Sequence, residues 1–300
     1  MQAEVKVSIE TALNDAAMSV NRKLTELIKP VEGAEARVIE AMRYATMVGG
    51  KRIRPYLLMN SAAIFSVHDE YALRAAAAIE MLHCYSLVHD DLPAMDNSDL
   101  RRGKPTTHKQ FDEATAILAG DGLLTMAFEV LSHPDTHPDG DVRAQLCHAL
   151  AVSGGANGMV GGQMIDLWAE NQQLDIGAIT RLQRMKTGDI IAFSCEAGAI
   201  LGHASKEQRH ALIGYAHDLG LAFQIVDDLL DAEGDAAETG KPTGADAAAG
   251  KATFVSILGL ERARQQAKLL GDQAKAHLEI FGAKADALRW MSDFVINRKS

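Results

Sequence analysis

Cysteine, proline and aromatic residues are all scarce in this chain of 300 residues. The three cysteines, Cys84, Cys147 and Cys195, show no CxxC or CxxH spacing. A sparse, odd set argues against a disulfide framework or a zinc cage and fits buried thiols in a reducing cytoplasm. Seven prolines occur, and none lies between Pro138 and Pro242. About 100 residues without proline favour long helices. No convincing strand alternation and no Asn-Gly hairpin signal are found. No uncharged run reaches the roughly 18 residues that a membrane span needs. The start, residues 1–10, mixes charged and apolar residues and does not read as a signal peptide. The net charge of −10 argues against a general nucleic-acid surface. A soluble cytoplasmic protein is expected.

What is present is helical material. Apolar residues make up 47% of the chain, ample for a large core. Apolar periodicity and Gly/Pro stops predict helices over 8–28, 34–48, 55–65, 69–91, 114–131, 143–169, 176–201, 206–231 and 254–281. The helix over 69–91 is apolar all round and is therefore expected to be central. The helix over 143–169 is rich in glycine, at about 1 kcal/mol each against alanine, which points to close packing or a kink. Residues 96–108 and 232–251 read as polar loops. No linker and no fixed-period repeat divides the chain, so one all-α domain over 1–300 is expected.

Against that background stand two aspartate clusters. Asp90-Asp91-Leu92-Pro93-Ala94-Met95-Asp96 and Asp227-Asp228-Leu229-Leu230-Asp231 each end an apolar helical run. Carboxylates so close together repel one another and are tolerable only in water or around cations. Mg²⁺ takes oxygen ligands, uses one or two carboxylates per ion, and completes its shell with water and phosphate oxygens. Two such clusters suit several Mg²⁺ ions around a diphosphate. In the second cluster, Gln224, Asp227 and Asp231 fall on one helical stripe.

Cations accompany the clusters. Gly49-Gly50-Lys51-Arg52-Ile53-Arg54 sets three of them beside a flexible glycine pair, a good phosphate cradle. Arg101-Arg102-Gly103-Lys104 follows the first aspartates. His83 lies two turns before Asp90, nearly on its helical face. Gly162-Gln163-x-x-Asp166, Lys186-Thr187, Lys241 and Lys251 add further polar positions, each unremarkable alone.

Together these residues resemble the trans-isoprenyl diphosphate synthases over almost the whole chain. Gly50-Lys51-Arg52-x-Arg54-Pro55, the run Glu80–Asp91, Arg101-Arg102-Gly103, Gly161-Gly162-Gln163-x-x-Asp166, Lys186-Thr187, Phe223-Gln224-x-x-Asp227-Asp228-x-x-Asp231 and Gly240-Lys241 fall in the family's order. Pro93-Ala94 inserted in the first motif, with Tyr85 ahead of it, looks like the family's bacterial farnesyl branch. The resemblance implies an all-α bundle of about ten or more antiparallel helices around a central pocket, usually a homodimer. It implies Asp90, Asp96 and Asp227 as main Mg²⁺ ligands, with Asp91 and Asp231 in support. Three Mg²⁺ ions are expected, with Mn²⁺ as a substitute.

By the same resemblance, Lys186, Lys241 and Arg101 neutralise the allylic diphosphate (dimethylallyl, then geranyl), and Thr187 and Gln224 face the reacting carbons. Gly50, Lys51, Arg54, His83 and Arg102 hold isopentenyl diphosphate, and Lys251 is a further expected substrate-binding position near the pocket. The implied product is farnesyl diphosphate. Tyr85 is its length ruler by resemblance, although a helical wheel puts Ser86 more squarely beneath Asp90. A geranylgeranyl product, a terpene cyclase and a non-catalytic partner subunit remain alternatives. Lys51, Arg54 and Arg102 argue against the cyclase, and two intact clusters argue against the partner subunit.

Overall fold

The computed structural model describes residues 2–169, 172, 174–233 and 253–298. Lys241 and Lys251 lie outside the described residues. Among the described residues the fold is all-α apart from one minute hairpin. It divides into two compact units. One comprises Glu10–Met59 and Val67–Cys147; the other comprises Met1–Ile9, Asn60–Ser66 and His148–Ser300.

The first unit takes most of α1 (Gln2–Leu27), with α2 (Ala36–Met47), the start of α3 (Ile53–Ile64), α4 (Asp69–Asp90), the single turn α5 (Thr107–Gln110) and α6 (Glu113–Ser132). Its centre is α4. Ala75, Ala76, Ala77, Ala78, Ile79 and Met81 are all fully buried, as an all-round apolar sequence predicts. The small side chains let α6 pack closely with Ala116, Ala119, Leu123 and Ala127. A Cβ at Gly120 of α6 would lie 2.1 Å from the His89 ring, so only glycine admits that imidazole. Asp112 caps α6 by accepting from the Thr115 N–H at 2.7 Å. By length and composition α6 is apolar enough to cross a membrane, but it serves here as a packing partner of α4.

The second unit holds α8 (Met159–Ala169), α9 (Ile176–Gln183), α10 (Asp189–Leu201), α11 (Lys206–Glu233), α12 (Phe254–Leu258), α13 (Leu260–His277) and α14 (Asp286–Asn297), preceded by the end of α7 (Gly140–Gly154). Helix α10 is buried from Ile190 to Leu201 except at Glu196. Burial of Phe193 alone contributes about 2–3 kcal/mol. Helix α11 packs on α10 and α13, and α14 closes on α11, where the Tyr215 hydroxyl donates to the Leu288 carbonyl at 2.8 Å.

Four departures from the sequence reading have physical causes. The glycine-rich run 143–169 is two helices, broken after Gly154. The run 254–281 breaks at Gly259, whose φ of 76° leaves the helical region, and α14 beyond it was not anticipated. The run 176–201 contains a π-helical turn, Arg184–Gly188. Residues 100–105 form a hairpin, Leu100–Arg101 against Lys104–Pro105, where a plain loop was expected. Its two-residue turn is Arg102-Gly103, with φ of 52° and 75°. Both lie in the left-handed region, the geometry of a tight hairpin turn.

Candidate active site

In the first unit, the end of α4 and the hairpin form one polar assembly. The chain reverses after Asp90, and the Asp96 N–H donates to the Asp90 carbonyl at 2.9 Å while the Ser98 N–H donates to the Asp91 carbonyl at 3.1 Å. This brings the first and last aspartates of the cluster to one place. Asp91 is buried at 3% exposure. Arg101 grips it with a fork: Nε at 2.8 Å from Oδ2 and Nη2 at 2.7 Å from Oδ1. Burial alone would lower the Arg101 pKa, but the hydrogen bonds and charge of Asp91, with Asp90 and Asp96 nearby, raise it.

The neighbouring basic group is divided by the fold. Arg52, read with Lys51 and Arg54 as one cradle, is buried and belongs to the scaffold. Its guanidinium pairs with the buried Glu80, donates to the Thr46 carbonyl, and reaches Asn21 Oδ1 at 2.8 Å. Lys51 is exposed, and Arg54 Nη1 stands 3.5 Å from His83 Nε2. The His83 pKa falls well below its usual value, first through burial and then through Arg54, Arg102, Arg52 and Arg101. The imidazole is therefore neutral at physiological pH, and an anion would be favoured beside Arg54 and Arg102, since Arg52 and Arg101 already pair with Glu80 and Asp91.

Arg102 donates to the Gly49 carbonyl. Its pKa is lowered, chiefly by burial, with Arg52 and Arg101 acting in the same direction. A Cβ on Gly50, whose φ is 125°, would lie 2.5 Å from Arg102 Nη1. Gly50 thus makes room for Arg102, a reason the sequence does not disclose. Tyr85 sits one turn before the cluster, edge-on to His89 at 5.1 Å. Burial raises its pKa, and the Asp90 and Asp121 charges add to the effect. The Ser86 hydroxyl turns back to the His83 carbonyl at 2.9 Å.

In the second unit, Lys186 and Thr187 lie within the π-turn. Asp189 donates its N–H to Arg184 O five residues back, and such bulges concentrate at functional sites. Lys186 Nζ pairs with Asp166 Oδ2 at 2.6 Å. A Cβ on Gly162 would lie 2.3 Å from the Lys186 nitrogen. The Gly162-Gln163-x-x-Asp166 motif therefore admits the backbone of the turn at one residue and binds its lysine at another. Both amide atoms of Gln163 are buried without a protein partner. On α11, Gln224, Asp227 and Asp231 follow one another along a partly buried stripe.

Arg298 was missed by the sequence reading. Its guanidinium donates to Asp227 Oδ1 at 2.5 Å and to the Phe223 carbonyl at 3.0 Å, and it lies 3.9 Å above the Phe223 ring. One charge near the chain end carries no periodic signal, so spacing could not have found it. The donor set suits Mg²⁺. The carboxylates of Asp90, Asp227 and Asp231 are partly accessible and Asp96 is exposed. Among the described residues no three His, Cys, Asp or Glu side chains close into a cage. Open carboxylates that leave positions for water and phosphate are what this ion takes.

The chain belongs to the polyprenyl synthetase family, whose model matches residues 35–288. It is 42% identical over 294 residues to a farnesyl diphosphate synthase of Geobacillus stearothermophilus, covering 98% of this chain and 99% of that one. The crystal structure of an FPP/GFPP synthase from Zymomonas mobilis, in its apo form, is 49% identical with a TM-score of 0.88, covering 97% and 99%. A geranyltransferase from Helicobacter pylori, solved with magnesium and isoprenyl diphosphate, is 32% identical with a TM-score of 0.82, covering 96% of each chain.

Proposed function

We propose that this chain is a farnesyl diphosphate synthase. It joins isopentenyl diphosphate to dimethylallyl and then geranyl diphosphate, and both units act as one catalytic domain over 1–300. The observation that carries this reading is the arrangement of charge. Arginines surround a neutral His83, and one of them, Arg101, also grips the first aspartate cluster through Asp91.

In this reading Lys51, Arg54, Arg102 and neutral His83 bind the diphosphate of isopentenyl diphosphate, with Gly50 giving Arg102 its room. Asp90, Asp96, Asp227 and Asp231 hold Mg²⁺, three ions in all, and Mn²⁺ substitutes. Bound metal supplies positive charge to the departing pyrophosphate. Arg101 orients the aspartate cluster through its fork on Asp91, which supports the metal ligands from behind. Lys186, poised by Asp166, adds a cation to the allylic diphosphate, as do Lys241 and Lys251. Thr187 and Gln224 border the reacting carbons, and apolar walls exclude water that would quench an allylic cation. The released pyrophosphate takes the final proton.

Tyr85 sets product length, with Ser86 beside it on the same helix. Exposed Val160, Met164 and Trp168, spaced by four on α8, suit a subunit contact in a homodimer. The three free thiols fit a cytoplasmic setting.

The test is product chromatography after dephosphorylation, with isopentenyl diphosphate and each allylic primer in turn. Wild type should stop at farnesyl diphosphate, EDTA should abolish turnover, and Tyr85→Ala should lengthen the product. A longer wild-type product would favour the breadth named for the Zymomonas relative. Turnover that survives chelation would overturn the metal assignment.

A further inference from the structure

The fold separates the two members of the adjacent aspartate pair in the second cluster. Neighbours on a helix point about 100° apart, so one can meet solvent while the other meets the core. Asp227 is partly exposed, whereas Asp228 is buried at 7% exposure. Asp228 Oδ2 accepts the Phe254 backbone N–H at 2.8 Å. That N–H opens α12, where a helix leaves its first donors without internal partners. Phe254 is itself buried at 2% and packs with Ile225, Val226 and Leu229 of α11. Thr253 and Ser256 close a reciprocal cap beside it: the Ser256 N–H donates to Thr253 Oγ1 at 3.1 Å, and the Thr253 N–H donates to Ser256 Oγ at 2.9 Å. The chain beyond residue 252 is therefore fastened to α11 by a ring, a cap and one carboxylate.

We propose that Asp228 is a positioning residue and not a metal ligand. It pins the chain at Phe254 to the helix that carries Asp227 and Asp231. The first cluster shows the same division, since Asp91 is buried against Arg101 while Asp90 is the more accessible of that pair. The inference rests on the metal-dependent reading above.

The experiment compares full-length wild type with Asp228→Asn, Asp228→Ala and Asp227→Asn. Thermal shift is titrated with Mg²⁺ at fixed inorganic pyrophosphate, and hydrogen exchange is read at the Phe254 amide. Asparagine keeps an oxygen acceptor but loses the charge that a metal ligand needs. Asp228→Asn should therefore leave the half-saturating Mg²⁺ within about twofold of wild type, while Asp227→Asn raises it by about tenfold or more. Asp228→Ala should speed exchange at Phe254 by about tenfold, the factor for one lost hydrogen bond. In turnover, Asp228→Ala should raise KM for the diphosphate substrates, and Asp228→Asn should restore it.

A Mg²⁺ midpoint in Asp228→Asn as weakened as in Asp227→Asn would overturn the proposal, as would unchanged Phe254 exchange in Asp228→Ala. If Asp228→Ala does not fold, the Asp228→Asn midpoint decides alone. If Asp227→Asn leaves the Mg²⁺ response intact, the metal reading fails, and exchange at Phe254 still decides the anchor.

Discussion

The two aspartate clusters use the same residue type at similar spacing, yet their surroundings are built differently. In the first, the partners are near in sequence: Arg101 follows Asp91 by ten residues, and a tight hairpin turn fixes Arg101 and Arg102. In the second, partners come from afar. Arg298 reaches Asp227 from 71 residues away, and the Phe254 N–H meets Asp228 across 26. The first cluster is a local motif supported by the ion pair of Arg101 with the buried Asp91. The second is a helix stripe whose neighbours are supplied by tertiary folding. Both clusters can be read from a string of residues, but partners assembled from afar, such as Arg298, cannot.

The largest test of this contrast is to remove one carboxylate from each cluster. Asp90→Asn and Asp227→Asn should each lower turnover by on the order of a thousandfold, the scale of a lost electrostatic stabiliser. Their thermal behaviour should part. Asp227→Asn leaves the buried Arg298 without its carboxylate, and should cost roughly 1 kcal/mol once solvent screening on the Asp227 side is allowed for. Asp90→Asn should leave Tm unchanged or slightly raised, because one repelling charge is gone. Equal Tm losses would erase the distinction.

A smaller effect separates the cation sets. Arg54→Ala should mainly raise KM for isopentenyl diphosphate, and Lys186→Ala should mainly impair the allylic partner, each by about 1.5–3 kcal/mol of charge-assisted contact. Steady-state kinetics with each substrate varied will show whether both variants harm both substrates equally, which would merge the two sets.

The smallest effect is a pH dependence confined to the second unit. Burial raises the Asp189 pKa to about 6, with Arg184 opposing. A carboxyl raised in the folded state binds protons that the unfolded chain has lost, so stability falls as pH climbs from about 4 to 6 and the penalty is full above that. Asp189→Asn should then raise Tm at pH 7.5 by an amount equivalent to about 1–3 kcal/mol, and the gain should vanish near pH 4. A gain that is constant with pH would remove charge burial as its cause.

Much of the fold was legible because apolar periodicity is strong. The alanine run of α4 and the stops at Pro30 and Pro93 mark elements that the structure contains. The failures share a cause: features set by backbone geometry or distant contact. Strands of two residues are too short to alternate, and Arg102-Gly103 is an unusual pair for a tight hairpin. The π-turn hides inside a run that reads as one continuous helix, and Gly259 breaks a helix through its φ alone. In the site, the spacing of Lys51, Arg52 and Arg54 could not reveal that Arg52 is turned inward to Glu80 while Arg54 faces His83.

The π-turn has a consequence for how this chain tolerates change. Its hydrogen bonding spans five residues where an ordinary helix spans four, so Arg184–Gly188 holds one residue more than a regular spiral requires. Removing a single codon there would let the helices on either side join as one straight rod, each keeping its own face. Such a deletion should yield a protein that still folds but presents Lys186 and Thr187 wrongly. In gene comparisons, the length of this segment should be held more tightly than most of its letters.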